Sequence, residues 1–181
     1  RQDLYKEVIE RYNHFTDLLK QGNREDLYKE NKQDKITSEE YGLVFSRMDY
    51  HNAPDWKYAI VDLNKDGQDE LLIGDEKFVS AIYYLENQKP SLLHTAYIVS
   101  AGGFRSGFDI YENGQVCYAD WQSTRPEMNL SLYSFDKNGV QKIKEATIQI
   151  GGNEKAEQVL DISSEKLDLS NIGWKELNPA N

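Results

Sequence analysis

Residues 58–76 read YAIVDLNKDGQDELLIGDE, an acidic loop held between two apolar runs. The runs at 58–61 and 70–73 are short, rich in branched residues and bounded by Asp, Asn and Gly, the pattern of two strands joined by a turn. Outward from this hairpin the same texture continues at 78–85 and 92–99. Further strands are expected at 108–111, 115–121, 130–135 and 141–150. ENGQ (112–115) and DKNG (136–139) carry Asn-Gly pairs that suit tight hairpins, so the spacing predicts an antiparallel meander.

Upstream the period changes. Leu4, Val8, Tyr12, Phe15 and Leu19 recur every three or four residues before Gly22, which predicts an amphipathic helix. A shorter helix is expected around 25–29. Thr37 followed by Glu40 forms a capping box ahead of Tyr41, Val44, Phe45 and Met48. The expected fold is α+β: N-terminal helices packed on an antiparallel β-meander sheet, compatible with a curved or propeller-blade-like sheet. A single domain is expected over residues 1–181, with a helical part at 1–50, a sheet at 57–150 carrying the loop 62–70, and a C-terminal cap at 153–181. In that cap IGWKEL supplies either an edge strand or a Trp174 cover for the core. No heptad array or solenoid repeat is visible.

Composition narrows the function. With 31 acidic against 21 basic residues the formal charge is -10, which repels phosphate backbones and anionic headgroups, so nucleic acid is not an expected partner. No apolar run approaches the roughly 20 residues that span a bilayer. The chain begins at Arg1 without Met or a signal-like segment, which reads as a mature or trimmed domain whose anchor has been removed. The lone Cys117 provides neither a disulfide framework nor a cysteine-rich zinc site, and in QVCYAD it reads as a small buried hydrophobe.

Counted from Asp62, oxygen-bearing side chains fall at loop positions one, three, five and nine: Asp62, Asn64, Asp66 and Glu70. Gly67 at position six permits a sharp bend, and the backbone carbonyl of Gln68 is available at position seven. Three inward carboxylates repel one another unless a divalent cation lies between them. Hard oxygen donors in an irregular shell suit calcium better than magnesium. Position twelve is Ile73 and ELLIG reads as a strand, so this is not a full EF-hand, and Glu70 must close the shell. Asp69, at an even position, is expected to face solvent. A solvated hairpin turn competes with the metal reading, since Asn, Asp and Gly are also turn formers.

The pattern DxNxDGxxE between two strands resembles the calcium loops of integrin-type FG-GAP propeller repeats, and its first half resembles dockerin loops. Over a longer span, YAIVDLNKDGQDELLIGD, then IYYL, an ENG hairpin and a terminal WKEL resemble a family of secreted lipoproteins and surface domains of Gram-positive bacteria. Segments of that family run like YALxDIDGDGxPELLIG after a helical start. Here Asn64 replaces Asp, which lowers the site charge, while Lys65 replaces Gly and Asp69 replaces Pro. The resemblance implies structural calcium, an extracellular or cell-surface location, and a lipid anchor through a missing N-terminus.

Other stretches carry weaker signals. SAGGFRSGF (100–108) is rich in glycine around Arg105 but lacks a P-loop ending and reads as a hairpin loop. In YADWQSTRP (118–126), Trp121 and Arg125 offer a stacking surface for a cell-envelope glycan or protein ligand, with core packing the stronger reading of the tryptophan. His14, His51 and His94 fall in no metal or triad spacing. The expected function is an extracytoplasmic, non-enzymatic calcium-binding domain, against the alternatives of an envelope-binding module around Trp121 or a hydrolase.

Overall fold

The computed structural model describes residues 2–50, 52–99 and 103–178; His51 and the 100–102 part of the glycine-rich stretch lie outside them. Strand β2 (Glu70–Gly74), the ELLIG of the central hairpin, is buried along its whole length. Leu71 and Ile73 point into a core shared with the helices, and Leu72 points into a second core on the opposite face. An uninterrupted apolar run, in place of alternation, is what a strand covered on both faces requires. Each of these side chains, fully buried, contributes about 1.5–3 kcal/mol.

The chain is α+β, with its three longer helices at the N-terminus and two antiparallel sheets. Helix α1 (Lys6–Gln21) stops at Gly22, α2 (Arg24–Lys32) follows, and α3 (Ser38–Arg47) starts from the expected capping box. Strands β1 (Lys57–Val61), β2, β3 (Val79–Glu86) and β4 (Lys89–Thr95) form one sheet, and β5 (Phe104–Ile110), β6 (Val116–Gln122), β7 (Glu127–Asp136) and β8 (Gly139–Gln149) form the other. After the short helix α4 (Ala156–Val159), β9 (Lys175–Glu176) returns to the first sheet beside β1. Trp174 packs against the inter-sheet core, so the tail fulfils both of its expected roles.

The expected meander is therefore divided between two sheets. The run expected at 92–99 ends as strand at Thr95, because the chain changes partners there. Ala96 N–H still donates to the Ser80 carbonyl of β3 (2.8 Å), whereas Tyr97 and Ser106 bond each other, Ser106 N–H reaching the Tyr97 carbonyl at 3.0 Å. One core lies between the helices and the first sheet and a second between the sheets. A third lies on the outer face of the second sheet, where Leu160 and Ile162 cover Cys117, Leu130 and Leu132.

A buried ion pair locks the helices to the first sheet. Glu40, 1% exposed, uses Oε1 to accept the Thr37 N–H of its own capping box (2.9 Å). Its Oε2 accepts from Arg11 Nη2 (2.8 Å) and from the Tyr83 hydroxyl (2.5 Å). Tyr83 in turn meets Tyr12 at 2.8 Å. With hydrogen bonds on both oxygens, the carboxylate is compensated in a site where an unpaired charge would be strongly destabilising.

Candidate metal centre

The loop between β1 and β2 is folded by its own carboxylates. Asp62 accepts the backbone N–H of Asp66 (3.1 Å) and of Gly67 (2.8 Å), and Asp66 accepts that of Gln68 (2.8 Å). These contacts wind residues 62–68 into a tight coil in which Gly67 takes φ 90°, a left-handed conformation that glycine adopts without strain. Lys65 takes φ 60° in the same coil. The Gln68 side-chain amide N–H donates toward the Leu85 carbonyl (3.4 Å).

Asn64 ties the loop to the second sheet. Its amide nitrogen donates to the Phe135 carbonyl at the end of β7 (2.8 Å) and to Asp66 Oδ2 (3.0 Å). Its Oδ1 is buried and accepts no hydrogen bond. The β5–β6 turn presses on the same residue: a Cβ on Gly114 would lie 2.6 Å from Asn64 Cα, so only glycine allows this approach. Sequence spacing gave no sign of this inter-sheet contact, because Asn64 and Phe135 are 71 residues apart.

Glu70 closes the loop from the first position of β2. It is 2% exposed and accepts the Leu63 N–H (2.9 Å). Burial pushes its carboxyl up to about 8; the Leu63 bond opposes this, and the charges of Asp66, Asp62 and Asp69 add to it. Asp69 corrects an expectation: it does not face solvent but is 5% exposed. The reason is tertiary, since the turn before α1 folds over the hairpin and the Tyr5 hydroxyl donates to the Asp69 carbonyl (2.7 Å).

Among the described residues no three His, Cys, Asp or Glu side chains converge into a metal cluster. The donor set nevertheless fits a hard cation. Each loop carboxylate keeps acceptor capacity beyond its N–H bonds, and the buried, unpartnered Asn64 Oδ1 is an orphaned oxygen within the same coil. Asp62, Asn64, Asp66, Glu70 and the Gln68 carbonyl are the oxygens that would hold calcium here.

The remaining sequence candidates separate. Trp121 lies on β6 opposite Arg105 and Met128, while Arg125 is exposed in the β6–β7 turn. Cys117 is buried, and burial pushes its thiol up to about 12, which makes it a packing residue. His14 pairs with Glu30 (2.9 Å) at the surface. His94 forms a relay that no motif announces: Nδ1 meets Glu39 at 3.1 Å, Nε2 meets the Tyr133 hydroxyl at 2.9 Å, and the ring stacks on Tyr118 at 3.9 Å. It joins α3, β4 and β7, and only the assembled layers could reveal it. No protein-family profile matches this chain, and no curated protein or solved structure matches it significantly.

Proposed function

We propose that this chain is an extracytoplasmic domain, secreted or surface-anchored, in which Asp62, Asn64, Asp66, the Gln68 carbonyl and Glu70 bind a calcium ion for structure and not for catalysis. The observation that carries this reading is the buried Asn64 Oδ1 without a hydrogen-bond partner, inside a coil that also holds three carboxylates. A cation would satisfy that oxygen and offset the repulsion that burial of Glu70 intensifies. Because Asn64 also holds the Phe135 carbonyl, the ion would brace both sheets and not the β1–β2 hairpin alone. The location rests on the resemblance of residues 58–75 to Gram-positive surface domains, and a loop of modest charge suits the weak calcium affinities of extracellular modules.

Calorimetry on the metal-stripped chain tests this. Calcium is expected to bind one to one, and at about ten times the dissociation constant it should stabilise the fold by roughly 1.4 kcal/mol. Asp66→Ala should weaken binding on the order of 100-fold, whereas Asp69→Asn should lower the melting temperature and spare calcium affinity. Absence of any heat or melting shift across millimolar calcium would defeat the proposal, and equal losses of affinity in both variants would show that the ligand register is wrong.

A further inference from the structure

Where the chain crosses between the sheets it leaves a cleft of about 670 Å³, within the range of about 300–1,000 Å³ typical of small-molecule sites. Val79 and Ile110 form its buried wall, with Tyr97 and Phe108 beside them. The lip is apolar as well: Phe78 is 76% exposed, Tyr50 45% and Ile98 43%, three large side chains that a folded chain gains nothing by presenting to water. None of the calcium-loop residues lines this cleft, so its chemistry is independent of the metal site.

Two features define the ligand. The first is shape. Along β5, Ser106, Phe108 and Ile110 face the inter-sheet side while Gly107 and Asp109 face the other, yet all five line the cleft, so it runs over the edge of this strand. Gly107 makes the passage possible, since nothing lies within 4 Å of where its Cβ would be. Such a groove suits an elongated body. The second feature is charge. Lys166 pairs with Asp109 (3.4 Å) and Glu157 (3.9 Å), which leaves Arg47 and Lys77 as the other charged residues of the lining among the described residues. Arg47 stacks on Trp56 at 5.0 Å and bonds the Pro54 carbonyl, and burial lowers its pKa against the fields of Asp75 and Asp55, neither of which lines the cleft. Lys77 is exposed in the β2–β3 turn. A net positive lining on a chain of charge -10 reverses the balance of the rest of the molecule.

We propose that this cleft binds one amphipathic carboxylate, a linear acyl chain with a free acid head. The chain lies against Val79, Tyr97, Phe108 and Ile110, and the carboxylate is held by Arg47 and Lys77. The test uses cis-parinaric acid, a fluorescent polyene acid, excited by energy transfer from tryptophan, of which Trp121 lines the cleft. Saturable one-to-one binding is expected, with dodecanoate displacing the probe roughly tenfold better than dodecylamine or methyl dodecanoate. Lys77→Glu and Gly107→Leu, one changing an exposed charge and the other filling open space, should each weaken dodecanoate by about tenfold or more with melting unchanged. Trp121→Phe should reduce the sensitised emission. Equal displacement by the amine overturns the assignment of the head group. Unchanged affinity in folded Gly107→Leu overturns the location, and lack of saturable binding, or capture of a glycan or unacylated peptide without probe displacement, overturns the ligand class.

Discussion

The two ends of β2 sit about 13 Å apart along one five-residue strand, and they are built in opposite ways. At the Glu70 end the sheets meet through the Asn64 amide on the Phe135 carbonyl and the close approach of Gly114 to Asn64, beside a loop with four carboxylates from 62 to 70. At the Gly74 end the next turn carries Lys77 and Phe78 at the lip of an apolar cleft. The contrast teaches that one inter-sheet core can be closed at one end by electrostatics and left open at the other by sterics. Acidic residues accumulate where a cation would bind them, and exposed aromatic and aliphatic residues accumulate where a partner would cover them.

The largest effect expected from this contrast is on pH dependence at the closed end. Glu70 titrates near 8 in the fold and near its ordinary value of 4.5 when unfolded, so between those values the native state holds a proton that the unfolded chain has released. In chelator, stability should be fullest below about pH 4.5 as regards this group. It should be lost progressively as pH rises from there through about 8, by up to about 5 kcal/mol. Glu70→Gln, which keeps an acceptor for Leu63, should flatten that slope in urea melts at pH 5.5 and 8.5. A slope identical to the parent's would mean that another group carries the pH dependence.

Asn64→Ala comes next. It removes the link to Phe135 and leaves that carbonyl short of a donor, at a cost of about 1–3 kcal/mol. Hydrogen exchange should rise at the end of β7 as well as in the loop. Phe78→Asp at the open end should stay within about 0.5 kcal/mol of the parent, because its side chain is mostly in water. Equal destabilisation by the two would erase the distinction between the ends.

A modest effect of opposite sign is expected at Lys65. Holding a side chain at φ 60° costs about 1–2 kcal/mol, and glycine's greater freedom in the unfolded chain offsets part of the relief. Lys65→Gly should therefore stabilise by about 0.5–1 kcal/mol, measured as a raised denaturation midpoint. A lower midpoint would show that the lysine contributes a contact outweighing its backbone strain.

What could be read before folding was local. The 3.6-residue period from Leu4 to Leu19, the Thr37–Glu40 capping box, the Asn-Gly turns and the unbroken ELLIG run each fix nearby backbone geometry, and the helices and eight main strands follow them in order. The odd-position oxygens of 62–70 are local in the same sense, since their hydrogen bonds span only a few residues. Contacts across long separations had no such signature. The burial of Asp69 needed Tyr5, the orphaned Asn64 oxygen needed β7, and the split of the meander needed Tyr97 to exchange β3 for Ser106. The cleft over β5 and the Glu39–His94–Tyr133 relay arise only when α3 and both sheets are stacked. Periodicity and turn chemistry report on the few residues around each position, whereas which faces meet, and which polar atoms are left unpaired between them, is decided by packing of the whole chain.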